Sequence, residues 1–497
     1  MAPPDTRRRT ADSLLWSGIA GAGMQLVSAL FGLWLLRLLT PTDYGRVAAL
    51  VVFSSVASVL QESGFTAALA NKREPSPADY NSVFWANTLI GTAIYAVLFA
   101  AAPAIARFYA DPVLCPLGRL VFLSFVISSF GTAQRAYLFG HLMVRQTAIC
   151  QLTAVTLSNM AGVALAYAGL AYWALALMTL VYVSTLTIMA WHYSPWRPTL
   201  HISLKPAWSM FGFSSRLLIS SLATQLTNHA FGVLLTRFFG STQAGIYSNA
   251  RKWHDMATTT ISSMAQGVTQ PLLVQTADAQ PLTTFRTLLR FTAMLSFPAL
   301  FGLTLIAPDF VVLLAGQKWA ASATLLSLLC LYGAFAPIAT LYTNLIIALR
   351  HSGIVMTIAL CNCGMVWGGI IAAHALGASL TAMVAYYVAL STSWLLVWQA
   401  VARHLCGLRW HHVAACTLPY MLLAATVMAA TWHLTRTMPL SWLRMLTCIA
   451  TAATAYTGIL IIARDHAMHA AIAYLRQRTR MQQSRHNNPH QGTESNF

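Results

Sequence analysis

The sequence predicts an all-α membrane protein of about fourteen transmembrane helices arranged as a duplicated bundle. Three observations predict it. The 497 residues are 57% hydrophobic and only 8% charged, with a mean hydropathy of +0.61, against roughly 25% charged residues in soluble domains. Apolar runs of bilayer length, about 20 residues each, recur along the whole chain. A motif that closes the first run returns 200 residues later. A chain so poor in charge cannot cover a water-facing surface, whereas lipid accepts apolar side chains on every outward helix face.

Taken in order, spans are expected to start near Ser13, Val47, Asn81, Gly118, Thr147, Ala171, Ser209, Ile246, Leu288, Ser322, Ile354, Ala378, His412 and Trp442. The connections are short and often marked by proline or glycine, as at Thr40-Pro41 and Asp111-Pro112, and none is long enough for an extramembrane domain. No secretory cleavage site follows the first run, which is expected to be a retained span. Residues 1–12 form a basic tail. The tail 464–497 starts as a basic helix-like segment and ends in His486-Asn487-Asn488-Pro489-His490, too polar to bury a core.

The net charge of +18 comes from 30 Lys and Arg against 12 Asp and Glu. The cations are scattered between apolar runs rather than massed in a block, which is the distribution of topology signals and excludes a nucleic-acid reading. With the N-terminus inside, most of them fall on the cytoplasmic side, including Arg7, Lys72, Arg145, Arg197, Lys205 and Arg286. Both termini are therefore expected in the cytoplasm, with an even number of spans. The eight cysteines lie mostly within apolar runs and read as small core residues rather than disulfide partners.

The repeat is carried by Arg37-Leu-Leu-Thr-Pro-Thr42-Asp-Tyr-Gly45 and Arg237-Phe-Phe-Gly-Ser-Thr242-Gln-Ala-Gly245, supported by Ala102-Pro103 and Ala307-Pro308. A six-span offset preserves orientation. Two parallel lobes, 13–208 and 209–401, are therefore expected to be related by an axis along the membrane normal, as in many transporters. Residues 402–463 supply two further helices outside the duplication.

Polar residues inside spans are expected to face the bundle interior, because facing lipid costs several kcal/mol each. At helical spacing they form stripes: Ser17, Gly21, Gln25 and Ser28 in the first span; Ser55, Ser58 and Glu62 in the second; Arg216, Ser220, Thr224 and Asn228 in the seventh; and Lys252, Thr259, Ser263 and Gln266 in the eighth. Packing by small residues explains any one serine. The presence of Arg216 and Glu62 in the same stripes points instead to a hydrated cavity lined by Gln25, Ser58, Thr224, Asn228, Thr259 and Ser263. Glu62 and Asp255 are the acidic candidates within spans, for cation coupling, gating, or an ion pair with an arginine such as Arg135. Arg216, Arg135, Arg251 and Lys252 are the cations suited to a phosphate-bearing cargo, whereas Arg37 and Arg237 at span ends are expected to snorkel to the interface. His229 and His254 read as packed or hydrogen-bonded residues. The chain has no HExxH, P-loop, Gly-x-Ser-x-Gly or Asp-x-Asp pattern, so no catalytic residue, metal site or bound cofactor is expected.

Several segments carry a family resemblance: Arg37 to Gly45, Glu62-Ser-Gly-Phe-Thr-Ala-Ala-Leu69, Asn81-Ser-Val-Phe-Trp-Ala-Asn87, Ala106-Arg-Phe-Tyr-Ala-Asp-Pro112, Gly169-Leu-Ala-Tyr-Trp-Ala-Leu175 and Gly245-Ile-Tyr-Ser-Asn-Ala-Arg251. With them the chain resembles the polysaccharide and O-antigen flippases of the multidrug/oligosaccharidyl-lipid/polysaccharide exporter superfamily. The resemblance covers about the first 260 residues. It implies MATE-like six-helix lobes around a cation-lined cavity, two extra C-terminal helices and a bacterial inner-membrane location. It also implies a cargo of sugar repeat units on an undecaprenyl-type pyrophosphate, flipped by alternating access, with H+ or Na+ coupling and with the pathway's polymerase and export proteins as partners. The family often has an acidic residue where this chain has Phe231, which leaves Glu62 to serve any coupling. Rival readings are a drug or organic-cation antiporter, which a cationic cavity disfavours, and a membrane enzyme of polysaccharide assembly, which would need a large catalytic loop.

Overall fold

The computed structural model describes residues 4–62, 75–200, 215–276, 281–349, 351–463, 465 and 468. The loop around Lys72 and nearly all of the tail from 464 lie outside the described residues. Every regular element among the described residues is helical: α1 (Pro4–Leu38), α2 (Pro41–Glu62), α3 (Pro77–Tyr109), α4 (Leu114–Ser129), α5 (Thr132–Gly140), α6 (Val144–Tyr167), α7 (Tyr172–Tyr193), α8 (Ser215–Thr276), α9 (Pro281–Ala315), α10 (Ala320–Gly333), α11 (Ala336–Ala348), α12 (Ser352–Ala375), α13 (Leu380–Cys406), α14 (Trp410–Thr435) and α15 (Trp442–Ile462).

Local chemistry sets the starts. Prolines open α2, α3 and α9, where the missing N–H costs nothing. Ser76 caps α3 in a reciprocal box, its Oγ accepting from the Asp79 N–H while Asp79 Oδ2 accepts from the Ser76 N–H at 2.8 Å. Eleven segments are long and apolar enough to cross a bilayer, and the pair α4 and α5, bent by 47°, makes a twelfth. The 62-residue α8 breaks at Gly240, whose φ of 81° suits glycine. Each of its arms, 215–239 and 241–276, reaches bilayer length at 1.5 Å per residue. Most of the expected starts fall within six residues of a helix start or of the α8 break; Ser13 and Leu288 lie nine and seven residues inside α1 and α9, and Ser209 lies outside the described residues.

The α4–α5 break leaves carbonyls that lipid could not satisfy. Side chains fill the need: Ser129 Oγ donates to Val126 O at 2.6 Å, Thr187 Oγ1 to Ile127 O at 3.3 Å, and Trp191 Nε1 to Phe130 O at 2.7 Å. Arg135 Nη2 donates to both Ser128 O and Ser128 Oγ, at 3.3 and 3.2 Å.

The chain divides into two compact units. The first contains Met1–Met256, Phe310–Leu326 and His351–Leu390; the second contains Ala257–Asp309, Ser327–Arg350 and Ser391–Phe497. In the first, Leu50, Leu114, Leu117 and Phe122 form a fully buried core, beside a polar knot that ties α2, α3 and α5. Asn87 Oδ1 accepts from Gln61 Nε2 and Thr132 Oγ1, both at 3.3 Å, and its Nδ2 donates to Gln61 O at 3.0 Å. In the second, Tyr342 OH donates to Gln399 Oε1 at 2.6 Å, and α9 and α15 flank an apolar cavity of about 610 Å³.

The knot predicts a contrast. Asn87→Ala removes three hydrogen bonds from a fully buried position and is expected to cost about 1–3 kcal/mol, whereas Leu89→Ala, two residues on at a 56% exposed site, changes little. Thermal unfolding in detergent, followed by size-exclusion fluorescence, checks it. Equal Tm shifts for the two variants would contradict a structural role for the knot.

Candidate functional site

The duplicated motif forms a pair of corners that meet in space. Thr42 Oγ1 and Thr242 Oγ1 share a hydrogen bond at 2.9 Å. A methyl group on Gly45 would overlap the Ser241 carbonyl oxygen, and one on Gly245 would overlap the Pro41 carbonyl oxygen. The two clashes are related by the same 200-residue offset as the motif, so the contact is self-complementary, as a two-fold axis requires. Only glycine lets the two backbones approach so closely. The identity extends back along the helices at the same offset, pairing Gln25 with Gln225, Phe31 with Phe231, Gly32 with Gly232 and Leu35 with Leu235.

Residues in and around the motif anchor the first corner. Thr40 and Asp43 cap α2, with the Thr40 N–H donating to Asp43 Oδ2 at 2.9 Å. Arg46, the residue after Gly45, pairs with Asp111 at 2.9 Å and lies 4.9 Å from the Tyr172 ring, which joins two of the segments that carry the family resemblance. Arg37 does more than snorkel: its guanidinium donates to Leu313 O and Leu314 O, at 2.9 and 3.0 Å, at the C-terminal end of α9. Lys318 returns the interaction, donating to Arg37 O and Leu39 O at 2.8 and 2.6 Å at the end of α1. Arg37 therefore meets the orphan carbonyls and negative dipole end of α9, and Lys318, in the 3-10 turn Gln317–Trp319 that follows α9, meets those of α1. The fully buried Trp319 completes the join through Nε1 to Leu36 O at 2.8 Å. Arg237, the counterpart of Arg37, instead lies 5.7 Å from the Phe108 ring.

Farther along the second arm of α8 lies a charged cluster. Helical i,i+4 spacing puts Arg251 and Asp255 on one face, and Arg251 Nε donates to both carboxylate oxygens at 2.7 and 2.9 Å. His254 Nδ1 donates to Asp255 Oδ1 at 2.9 Å. Arg251 Nη1 also reaches the Tyr387 hydroxyl of α13, at 3.5 Å. Phe231 fills the place expected of an acidic residue; it stacks on Tyr247 and meets Tyr387 edge-on, with centroids 5.1 and 5.2 Å away. Two more bonds cross between the repeats: Ser55 Oγ with His229 Nε2 at 2.9 Å, and Gln25 Nε2 to Met256 O at 3.4 Å.

The residues expected to form the site therefore separate into groups. Asp255 and Arg251 come together, Gln25 reaches the adjacent Met256 O, and Lys252 lies against Gly32 of α1. Arg135 serves the α4–α5 break. Ser58 Oγ bonds to Ser55 O in its own helix at 2.9 Å. Thr224 and Asn228 are exposed on the first arm of α8. Thr259 and Ser263 are exposed on the part of α8 that belongs to the second unit, with Ser263 bonded to Thr260 O. Glu62 ends α2 and Arg216 opens α8, but their side chains lie outside the described residues. Glu62 and Asp255 are not the whole set of intramembrane acids. Asp309 is fully buried in α9, with Arg444 Nε 3.5 Å away; the signal for it was a charge following Pro308 inside an apolar run. Tyr387 and Lys318 gave no local signal.

The region that builds the corners, the cluster and the Lys318 cap is also the region that matches known proteins. A family profile described as Polysaccharide biosynthesis protein matches residues 34–324, more than half of the chain. The chain belongs to the polysaccharide biosynthesis protein family. It is 26% identical over 341 residues to the lipopolysaccharide biosynthesis protein WzxC of Escherichia coli K12, covering 66% of this chain and 67% of that one. It is 25% identical over 335 residues to the succinoglycan biosynthesis transport protein ExoT of Rhizobium meliloti, covering 67% of each. Among solved structures, the lipid II flippase MurJ in an inward closed conformation superposes with a TM-score of 0.71 at 13% identity, covering 91% of this chain and 99% of that one. A MATE-family multidrug transporter of the MOP superfamily gives 0.57 at 13% identity, covering 84% and 96%. At these identities the structures speak for the fold, and the fold is that of the flippase and MATE group. The chain is a multi-pass membrane protein of that fold.

The corner contact predicts a cross-link. In a background without the eight native cysteines, Thr42→Cys with Thr242→Cys is expected to form a disulfide under mild oxidation, because the two hydroxyls already lie within hydrogen-bond distance. Adding Gly45→Ala, which forces the corners apart, is expected to abolish most of it. Cleavage at an engineered protease site between the two halves, run on a non-reducing gel, reads the yield. An undiminished cross-link in the Gly45→Ala protein would contradict the close packing.

Proposed function

We propose that the protein is a flippase that moves an undecaprenyl-pyrophosphate-linked oligosaccharide across the bacterial inner membrane for exopolysaccharide or O-antigen assembly. One observation carries this reading. Within a single compact unit the two repeats meet at glycine corners joined by one hydroxyl pair, and farther along the same helices Arg251 holds Asp255 while the neighbouring Lys252 adds a second cation without a carboxylate of its own. The contact supplies a gate. The net positive cluster suits a pyrophosphate and disfavours the organic cation that a drug antiporter would carry.

In the second unit the apolar cavity runs along α9 past Met294, Pro298 and Gly302 and along α15 past Cys448, Ala452 and Tyr456, a lining suited to hydrocarbon such as the prenyl chain. With both termini in the cytoplasm, the corners face outward, so the described conformation is closed on the outer side. Cargo then enters from the cytoplasmic leaflet, and parting of the corners releases it outward, while the pathway's polymerase and export proteins act on what emerges.

Coupling is assigned to Asp255. Its side chain is 45% exposed and shared between Arg251 and His254, so proton or Na+ binding would loosen its hold on Arg251. Glu62 remains the second candidate.

Deletion in the native host is expected to stop polymer export and to leave lipid-linked repeat units accessible from the cytoplasmic side alone. Complementation with Asp255→Asn, normalised to membrane-inserted protein, is expected to restore export partially, with little response to collapse of the proton gradient. Lost polymer without any build-up of cytoplasm-facing intermediate would contradict the flippase reading.

A further inference from the structure

Of the four cations the sequence offers for phosphate binding, Arg135 is held by the α4–α5 break and Arg251 by Asp255, while the Arg216 side chain lies outside the described residues. Lys252 differs. Among the described residues its ammonium makes no hydrogen bond and no ion pair; the nearest ring is that of Trp253, 6.0 Å away. It is seated against α1 at Gly32, where an added methyl carbon would lie 2.5 Å from Nζ. Gly32 is itself buried. The seat exists only because position 32 has no side chain.

The repeat offers an internal comparison. At the 200-residue offset Gly32 corresponds to Gly232, and Lys252 corresponds to Val52, which is buried in the hydrocarbon core of the first unit. A methyl group on Gly232 would meet nothing within 4 Å. Packing at this register is therefore satisfied by valine. The second repeat carries instead a half-buried cation, costly to place at this depth, which no described acceptor offsets.

Its depth is also informative. Gly32 stands six residues before the end of α1, about 9 Å, and Lys252 twelve residues past Gly240, about 18 Å along the helix. Helical side chains lean toward the N-terminus of their helix, so the Lys252 stem leads back toward the corners and brings Nζ to the level of Gly32. The ammonium is thus held well inside the bilayer-length segments, a few turns from the gate.

We infer that Lys252 is the side chain that takes the anionic group of the cargo, a lipid-linked phosphate or pyrophosphate, and that Gly32 is the positioning residue that keeps its seat open; the assignment rests on the flippase reading. Arg251 is then a fixed charge that orients Asp255 and Tyr387 rather than the cargo contact.

The chain has four lysines, Lys72, Lys205, Lys252 and Lys318, so reductive methylation with 13C-formaldehyde gives a sparse NMR spectrum in which Lys252 is assigned by its loss in Lys252→Arg. Purified full-length protein in detergent is titrated with farnesyl pyrophosphate, inorganic pyrophosphate and phosphatidylglycerol. The dimethyl-Lys252 signal is expected to shift saturably with farnesyl pyrophosphate, more weakly with inorganic pyrophosphate, and not with phosphatidylglycerol. Lys252→Ala is expected to weaken binding of farnesyl pyrophosphate roughly tenfold or more, the loss of one charge-assisted contact. Gly32→Ala is expected to move the Lys252 signal before any ligand is added and to weaken binding comparably, with no further loss in the Gly32→Ala, Lys252→Ala double variant. Gly232→Ala is the folding control and is expected to behave as wild type. Saturable binding of farnesyl pyrophosphate with the Lys252 signal unmoved would overturn the assignment and leave the flippase reading standing. A wild-type protein that binds no prenyl pyrophosphate would remove both. An equal shift with phosphatidylglycerol would assign the ammonium to bulk lipid and overturn its role in cargo binding.

Discussion

The backbone-to-backbone approach at Gly45 and Gly245 is the constraint on which the rest depends. Side chains cannot mediate it, since any Cβ there meets a carbonyl oxygen of the other repeat. The approach fixes where α1 must end and where α8 must break, and it leaves the helix-end carbonyls of that region in need of donors. Arg37 and Lys318 supply them reciprocally. Yet the contact itself is made of one hydroxyl pair and close van der Waals packing. A single hydrogen bond contributes about 0.5–1.5 kcal/mol, so the corners can part without dismantling the helices behind them. Strong capping of each helix end with weak joining of the two corners is what a gate requires.

The same economy governs the charges. In a medium that penalises an unpaired ion, four arginines of the first unit are each held locally, Arg37 at a helix end, Arg46 by Asp111, Arg135 at the α4–α5 break and Arg251 by Asp255. These interactions give each guanidinium a fixed partner within an otherwise apolar chain. Lys252 stands apart because its seat is shaped by a missing side chain rather than by a partner.

Much of this was legible in the sequence, and the limits were physical. Hydropathy placed the helices because span length is dictated by the bilayer and not by neighbours. The corner was legible because a duplicated turn must repeat its glycine and threonine to meet itself. The same offset, followed back along α1 and the first arm of α8, would also have paired Gly32 with Gly232. The fate of each arginine was hidden. Whether Arg135 faces a cargo or a helix break depends on a 47° bend that composition does not announce. Asp309 was overlooked because its partner, Arg444, lies on a helix outside the duplication.

The central claim is that transport requires the Gly45–Gly245 corners to part. Proteoliposomes carrying the Thr42→Cys, Thr242→Cys protein, loaded with a fluorescent lipid-linked oligosaccharide and probed by a membrane-impermeant quencher, test it most directly. Oxidised protein is expected to leave the inner-leaflet pool protected, and reduction in the same vesicles is expected to expose it at the rate of the unmodified protein. Undiminished flipping by the cross-linked protein would contradict the account.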